Sequence, residues 1–320
     1  MPMSKTSGMN RGVLACCAIV AAGMLLQLAA GPVRWDAMAW PVNGFVLAVL
    51  LAGIVVMHLC RGRVRLFRWM ATLQAGIPAM VACAMLTVLM GVTRQVPSGH
   101  VPADPFGITA MLSFWPFVLS FLWLTVLVGM VCMKRLRPAW RNVPFLLNHL
   151  GIFIALVAGT LGSADMQRLR MAVQEGKTEW RAVDARHRVH ELPVAIELHD
   201  FFVEEQPRLS YASDVTAYTK SGVTLRDTVR VNHPLSVRGW KIYQYSYDEA
   251  KGDRSDVSVF ELVRDPWLPC VYLGIFMMLA GAGIGLIGKK TPSNFCPPSH
   301  SLPNCSATNG QLPVRGRNKW

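Results

Sequence analysis

The stretch FLLNHLGIFIAL, Phe145 to Leu156, is apolar except for the adjacent pair Asn148 and His149. It belongs to a run from 143 to 163 that holds no Asp, Glu, Lys or Arg. At helical rise such a run crosses a hydrocarbon layer of ~30 Å. Five further runs of this kind cover roughly 12 to 31, 41 to 60, 70 to 93, 109 to 133 and 266 to 288. The charges are bunched between the runs rather than spread along the chain, which is the signature of an integral membrane α-helical protein with six transmembrane helices. The first run follows Lys5 and Arg11, but it is too long for the apolar core of a cleavable leader and has five companions. It reads as a retained helix.

The 320 residues carry a formal net charge of +13. The basic residues sit in short clusters beside apolar runs, so no nucleic-acid partner is expected. Arg61, Arg63, Arg65 and Arg68 follow the second run; Lys134, Arg135, Arg137 and Arg141 separate the fourth from the fifth; Lys289 and Lys290 follow the sixth. The alternate loops, 32–40 and 94–108, hold one Arg and one Asp each. This asymmetry is the positive-inside pattern, and it places both termini in the cytoplasm. The expected organisation is a membrane domain over 1–163 with five helices, a hydrophilic outer domain over 164–265, a sixth helix over 266–288 and a disordered cytoplasmic tail over 289–320.

The hydrophilic block reads as strands. LPVAIELHDFFVEE and GWKIYQYSYDEA alternate apolar and polar residues, Ser221-Gly222 separates two Thr/Val-rich runs as a hairpin turn does, and SDVSVFELV leads into Asp265-Pro266. The fold class expected is therefore a helical membrane protein with a β-rich extracytoplasmic domain, a small sandwich or barrel, between helices 5 and 6. None of the eight cysteines lies in this block, so it must fold without disulfides. No C-x-x-C and no C-x-x-C-H occurs.

Histidine is the residue type that could carry chemistry. His149 lies eight residues beyond Arg141, roughly 12 Å along a helix, inside the hydrocarbon on the cytoplasmic half. Intramembrane polar residues point to function by default, and neutral imidazole ligates iron, zinc or copper. The alternative is that Asn148 and His149 bond a neighbouring helix and fix packing, at ~1 kcal/mol or less. His58, three residues before Arg61, lies shallower on the same side, as a ligand or as an interfacial residue. His100, in the outer loop SGHVPADPFG, is either a second ligand at the far face or a turn residue. His187, His190, His199, His233 and His300 lack metal-ligand spacing. There is no phosphate-binding G-x-x-x-x-G-K-[ST] and no G-x-S-x-G elbow. The apolar runs contain no carboxylate for a proton relay. A large, planar, doubly anionic ligand such as haem fits the remaining scaffold: axial imidazole, walls from Trp115, Phe117, Phe121 and Trp123, and Arg141 or Arg68 for the propionates.

The wording of the sequence narrows this further. NHLGIFIALVAGTLGSAD (148–165), ELPVAIELHDF (191–201), NHPLSVRGWKIYQYSYDE (232–249) and SVFELVRDPWLPCVYLGIFMMLAGAG (258–283) together resemble the ResB family of cytochrome c biogenesis proteins. LQLAAGPVRWDAMAWPVN (26–43) and MLSFWPFVL (111–119) resemble the same CcsB-type, Bacteroidetes-like subfamily, so the likeness spans 12 to 288. The resemblance implies a subunit of the system II machinery in the bacterial inner membrane, with the outer domain periplasmic. Such a subunit binds haem b transiently and delivers it for attachment to apocytochrome c, together with a CcsA-type partner. It implies a non-catalytic part of a haem lyase complex, with no catalytic residue in this chain and His149 as an axial ligand to haem iron. Alternatives that stay open are an assembly scaffold that binds no haem and a permease component for another substrate. The block around EEQPRLSYASDV is shorter than in close relatives, and the first two helices inherit no assigned role from short family members.

Overall fold

The computed structural model describes residues 5–96, 102–136, 139–204 and 210–287. Seven α-helices and eight strands follow in chain order: α1 Lys5–Ala30, α2 Val42–Cys60, α3 Arg65–Met70, α4 Leu73–Val92, α5 Trp115–Arg135 and α6 Val143–Gly162, then the strands, then α7 Leu268–Ile287. All but α3 are long and apolar enough to cross a membrane, the make-up of a multi-pass membrane protein. Leu14, Val92, Leu279 and many other large apolar side chains on these helices are exposed, a surface suited to lipid rather than water.

Three helix starts depart most from the expected runs. α1 begins at Lys5 rather than near 12. The run from 109 begins as a 3₁₀ segment, Ile108–Ser113, and α5 starts only at Trp115, with Pro116 in its first turn, where the missing N–H costs nothing. The run from 70 begins at Leu73, because the preceding basic residues form the separate short helix α3.

α1, α4 and α5 lie against one another, α2 and α6 both lie against α5, and α6 and α7 form the most extensive helix pair. Glycines on both members set that pair's spacing. A Cβ on Gly151 would sit 2.5 Å from the Gly274 carbonyl oxygen, and one on Gly281 would sit 2.8 Å from both the Pro144 oxygen and the Asn148 nitrogen. Backbone touches backbone there, as small residues permit between membrane helices.

The strands are β1 Gln167–Gln174, β2 Thr178–Val183, β3 Val189–Glu204, β4 Ser210–Thr219, β5 Thr224–Arg230, β6 Leu235–Val237, β7 Trp240–Tyr247 and β8 Val257–Arg264. They form one antiparallel sheet in the order β5-β4-β3-β2-β1-β8-β7-β6. The sheet curls until β5 meets β6 and β7, enclosing a single core with Met171, Ile196, Leu198, Val215, Ile242, Phe260 and Leu262 among its most buried members. Ser213 bonds both Gln244 (2.8 Å) and Ser258 (2.7 Å) inside it, tying β4 to β7 and β8 across the closure. Gly222, at φ +81°, makes the expected turn between β4 and β5. β1, β2 and β6 are strands the sequence reading did not assign.

Candidate functional site

The face of α6 that meets α7 carries Pro144, Leu147, Gly151 and Ala155. The face that meets the rest of the bundle carries Phe153, Val157 and Leu161, packed in one cluster with Ile54 and Met130. His149 lies about 140° around the helix from Pro144 at 3.6 residues per turn. It shares the flank between the two faces with Phe145, Ile152 and Leu156, all half-buried.

The imidazole is held in one orientation. Its Nδ1 lies 3.0 Å from the Phe145 carbonyl oxygen. A carbonyl only accepts, so Nδ1–H is the donor and Nε2 is the nitrogen left to act as a ligand. The ring also stacks on Phe145, with centroids 3.9 Å apart and planes 18° apart. The guanidinium of Arg135, at the end of α5, stands 5.0 Å from the other member of that stack, the Phe145 ring. The sequence reading passed over both Arg135 and Phe145; the i, i+4 spacing of Phe145 and His149 is the signal that would have found the second.

The other expected site residues are not gathered here. His58 is half-buried in the last turn of α2, and its Nδ1 is buried without a hydrogen-bond partner. Arg141 is exposed in the 3₁₀ turn Trp140–Asn142. Among the described residues no hydrogen bond, ion pair or ring contact joins His149 to either. His100 lies outside the described residues. Trp115 and Phe117 occupy the end of α5 remote from Arg135; Trp115 Nε1 donates to the Gly31 oxygen (2.9 Å), Phe117 stacks on Phe121, and Trp123 packs near Trp69. These four aromatics therefore line α5 against α1 and α4 rather than wall a pocket around His149. Among the described residues there is no cluster of three or more His, Cys, Asp or Glu able to hold a metal ion.

A second constellation stands where the sheet joins the helices. Asp165, in the linker after α6, accepts at Oδ1 from the Trp40 backbone N–H (2.7 Å) and at Oδ2 from Asn43 Nδ2 and Trp267 Nε1 (2.7 Å each). Asn43, fully buried, also donates to the Leu161 oxygen (3.2 Å) in the last turn of α6. Gly162 makes room for Trp267: a Cβ there would lie 2.5 Å from the indole Cγ. Partial burial pushes the Asp165 carboxyl up, but the donors from Trp40, Asn43 and Trp267 outweigh it and hold it below the usual carboxylate range. Beside it opens a cleft of about 450 Å³ lined by Trp40, Asp165, Gln167, Arg264, Pro266 and Trp267. Three of the stretches that carry the family resemblance, ending WPVN, ending SAD and containing DPW, thus meet at one carboxylate.

Residues 137–257 match the ResB-like family. Among solved structures the chain is similar to "Cytochrome c Heme Lyase CcmF", at 14% identity and a TM-score of 0.35 over 88% of this chain and 45% of that one. The chain thus spans less than half the length of that protein, and at this distance neither fold nor function is transferred. No curated protein matches.

Proposed function

We propose, from the match of residues 137–257 to the ResB-like family, that this chain handles haem for cytochrome c biogenesis across a bilayer, beside a CcsA-type partner that works on apocytochrome c. The carrying observation is His149: an imidazole on a membrane-length helix, oriented by the Phe145 carbonyl so that Nε2 is free. That donor set suits haem, whose macrocycle supplies most of the iron's ligands and asks the protein for axial ones. A bare ion would need three or four protein ligands together.

When bound, haem would supply only its iron and its two carboxylates for recognition. His149 would hold the iron through Nε2, and the hydrogen bond at Nδ1 would keep that nitrogen presented. Arg135, whose guanidinium stands over the Phe145 ring, is placed to meet a propionate at the cytoplasmic edge. His58, His100 and Arg141 remain candidates for a second ligand or a second anion contact. His149 is half-buried on a flank of α6 between its α7 face and its bundle face, so a CcsA-type partner packed there would close the site.

The positive-inside pattern puts the basic clusters of α3 and the α5–α6 loop in the cytoplasm and the sheet in the periplasm. Haem would then pass from the side of Arg135 toward the side of Asp165. In cells lacking the chain, c-type cytochromes are expected to lose covalent haem and to regain it with the wild-type chain; a phosphatase fused after residue 200 is expected to be active. Normal attachment in its absence overturns the function, and an inactive phosphatase overturns the sidedness.

A further inference from the structure

We infer that Asp165 is a positioning residue: its carboxylate fastens the sheet domain to the outer end of the helix that carries His149, so that what His149 holds and what the sheet receives stay in register. The functional half of this rests on the haem reading above; the mechanical half does not.

The geometry carries it. The sheet is joined to the bundle by two linkers, 163–166 and 265–267, and Asp165 lies in the first while Trp267 closes the second. One carboxylate takes donors from the second linker and from the entry to α2, a segment more than a hundred residues away in the chain. Two short linkers alone would leave the sheet free to rock about their common axis. The third point, on α2, removes that freedom. The bonds are charge-assisted, and Asn43 is out of water entirely. A further link across this boundary, Arg186 with Asp36, is between exposed side chains and screened. Gly162 is an independent sign that the arrangement is specified. It is the last residue of α6, and any side chain there would displace the Trp267 ring whose N–H reaches Asp165.

Asp165→Asn keeps the side chain's size but turns one acceptor oxygen into a donor that faces donors. Gly162→Ala attacks the same contact without touching the carboxylate. The experiment places spin labels by unnatural amino acids at Lys220, in the β4–β5 turn, and Arg94, beyond α4, in the full chain purified with its partner. Distance distributions are read alongside the haem absorption spectrum and the cellular yield of covalent cytochrome c. The wild type is expected to give a narrow distribution. Both variants are expected to broaden it, to leave the haem spectrum intact and to lower the yield by about tenfold or more, as small misplacements do.

A narrow, unchanged distribution in Asp165→Asn overturns the inference, even if the variant melts earlier, because a merely stabilising contact would do only that. Full yield despite a broadened distribution overturns the functional half. If the wild type shows no haem spectrum, the haem reading fails while the distance measurement still decides the fastening.

Discussion

His149 shows how far a single residue can be read in advance. Its depth follows from counting back to Arg141, and the ligand chemistry of an imidazole follows from its type. Which nitrogen stays free does not follow, because that depends on a rotamer bonding to a carbonyl one turn away. The acidic residues outside the bundle show the same limit, since their environments are set by donors that only the fold supplies. Burial would raise Asp104, yet the Thr109 hydroxyl and the Thr109 and Ile108 N–H groups bring it to about 2. At Glu179 the leading influence is the Arg181 side chain, against some burial, again to about 2. A carboxyl depressed on folding stabilises the fold above its unfolded value of ~4 and loses that contribution as pH falls through the folded value. Unfolding midpoints of the detergent-solubilised protein are therefore expected to be flat from pH 7 to about 5 and to fall steeply between about 4 and 2. A midpoint that falls already between pH 7 and 5 would contradict these assignments.

At the scale of elements, the apolar runs located the membrane helices to within a few residues, because length and absence of charge are what a bilayer demands. What they could not give was the partner of each helix. The α6–α7 pair depends on Gly151, Gly274 and Gly281 falling on facing stripes, and glycine is common enough in membrane helices that its presence singles out no pair. Gly281→Leu puts a side chain where the Pro144 and Leu147 turn of α6 already stands. It is expected to cost about 1–3 kcal/mol, as overpacking does, read as a lower unfolding midpoint in denaturing detergent titration. Gly283→Leu, facing open space, is the control expected to stay near the wild type. Among the strands, β3, β7, β8 and the β4–β5 hairpin were legible from alternation and a turn glycine. β2 was not, since Ala182 is its one buried residue and TEWRAV shows no apolar period. β1 buries Leu169, Met171 and Val173 in strict alternation with Arg168, Arg170 and Ala172, so this strand was legible in the sequence and was passed over.

At the scale of the whole molecule, the sequence offers short words and the fold decides which of them touch. That Trp40, Asn43, Asp165 and Trp267 converge could not be read from any one stretch, because the contact is made across more than two hundred residues of chain by the return of α7 beside α6. The closure of the sheet is equally non-local. The result is a bundle with a histidine presented near one end, a sheet fastened at the other, and one pair of closely packed helices running between them. The central claim about this arrangement is that His149 ligates haem iron. It is tested most directly by the optical spectrum of the chain purified with the proposed CcsA-type partner, compared with His149→Ala. The wild type is expected to show low-spin haem that the variant loses or weakens and that added imidazole partly restores; an unchanged spectrum in the variant would contradict the account.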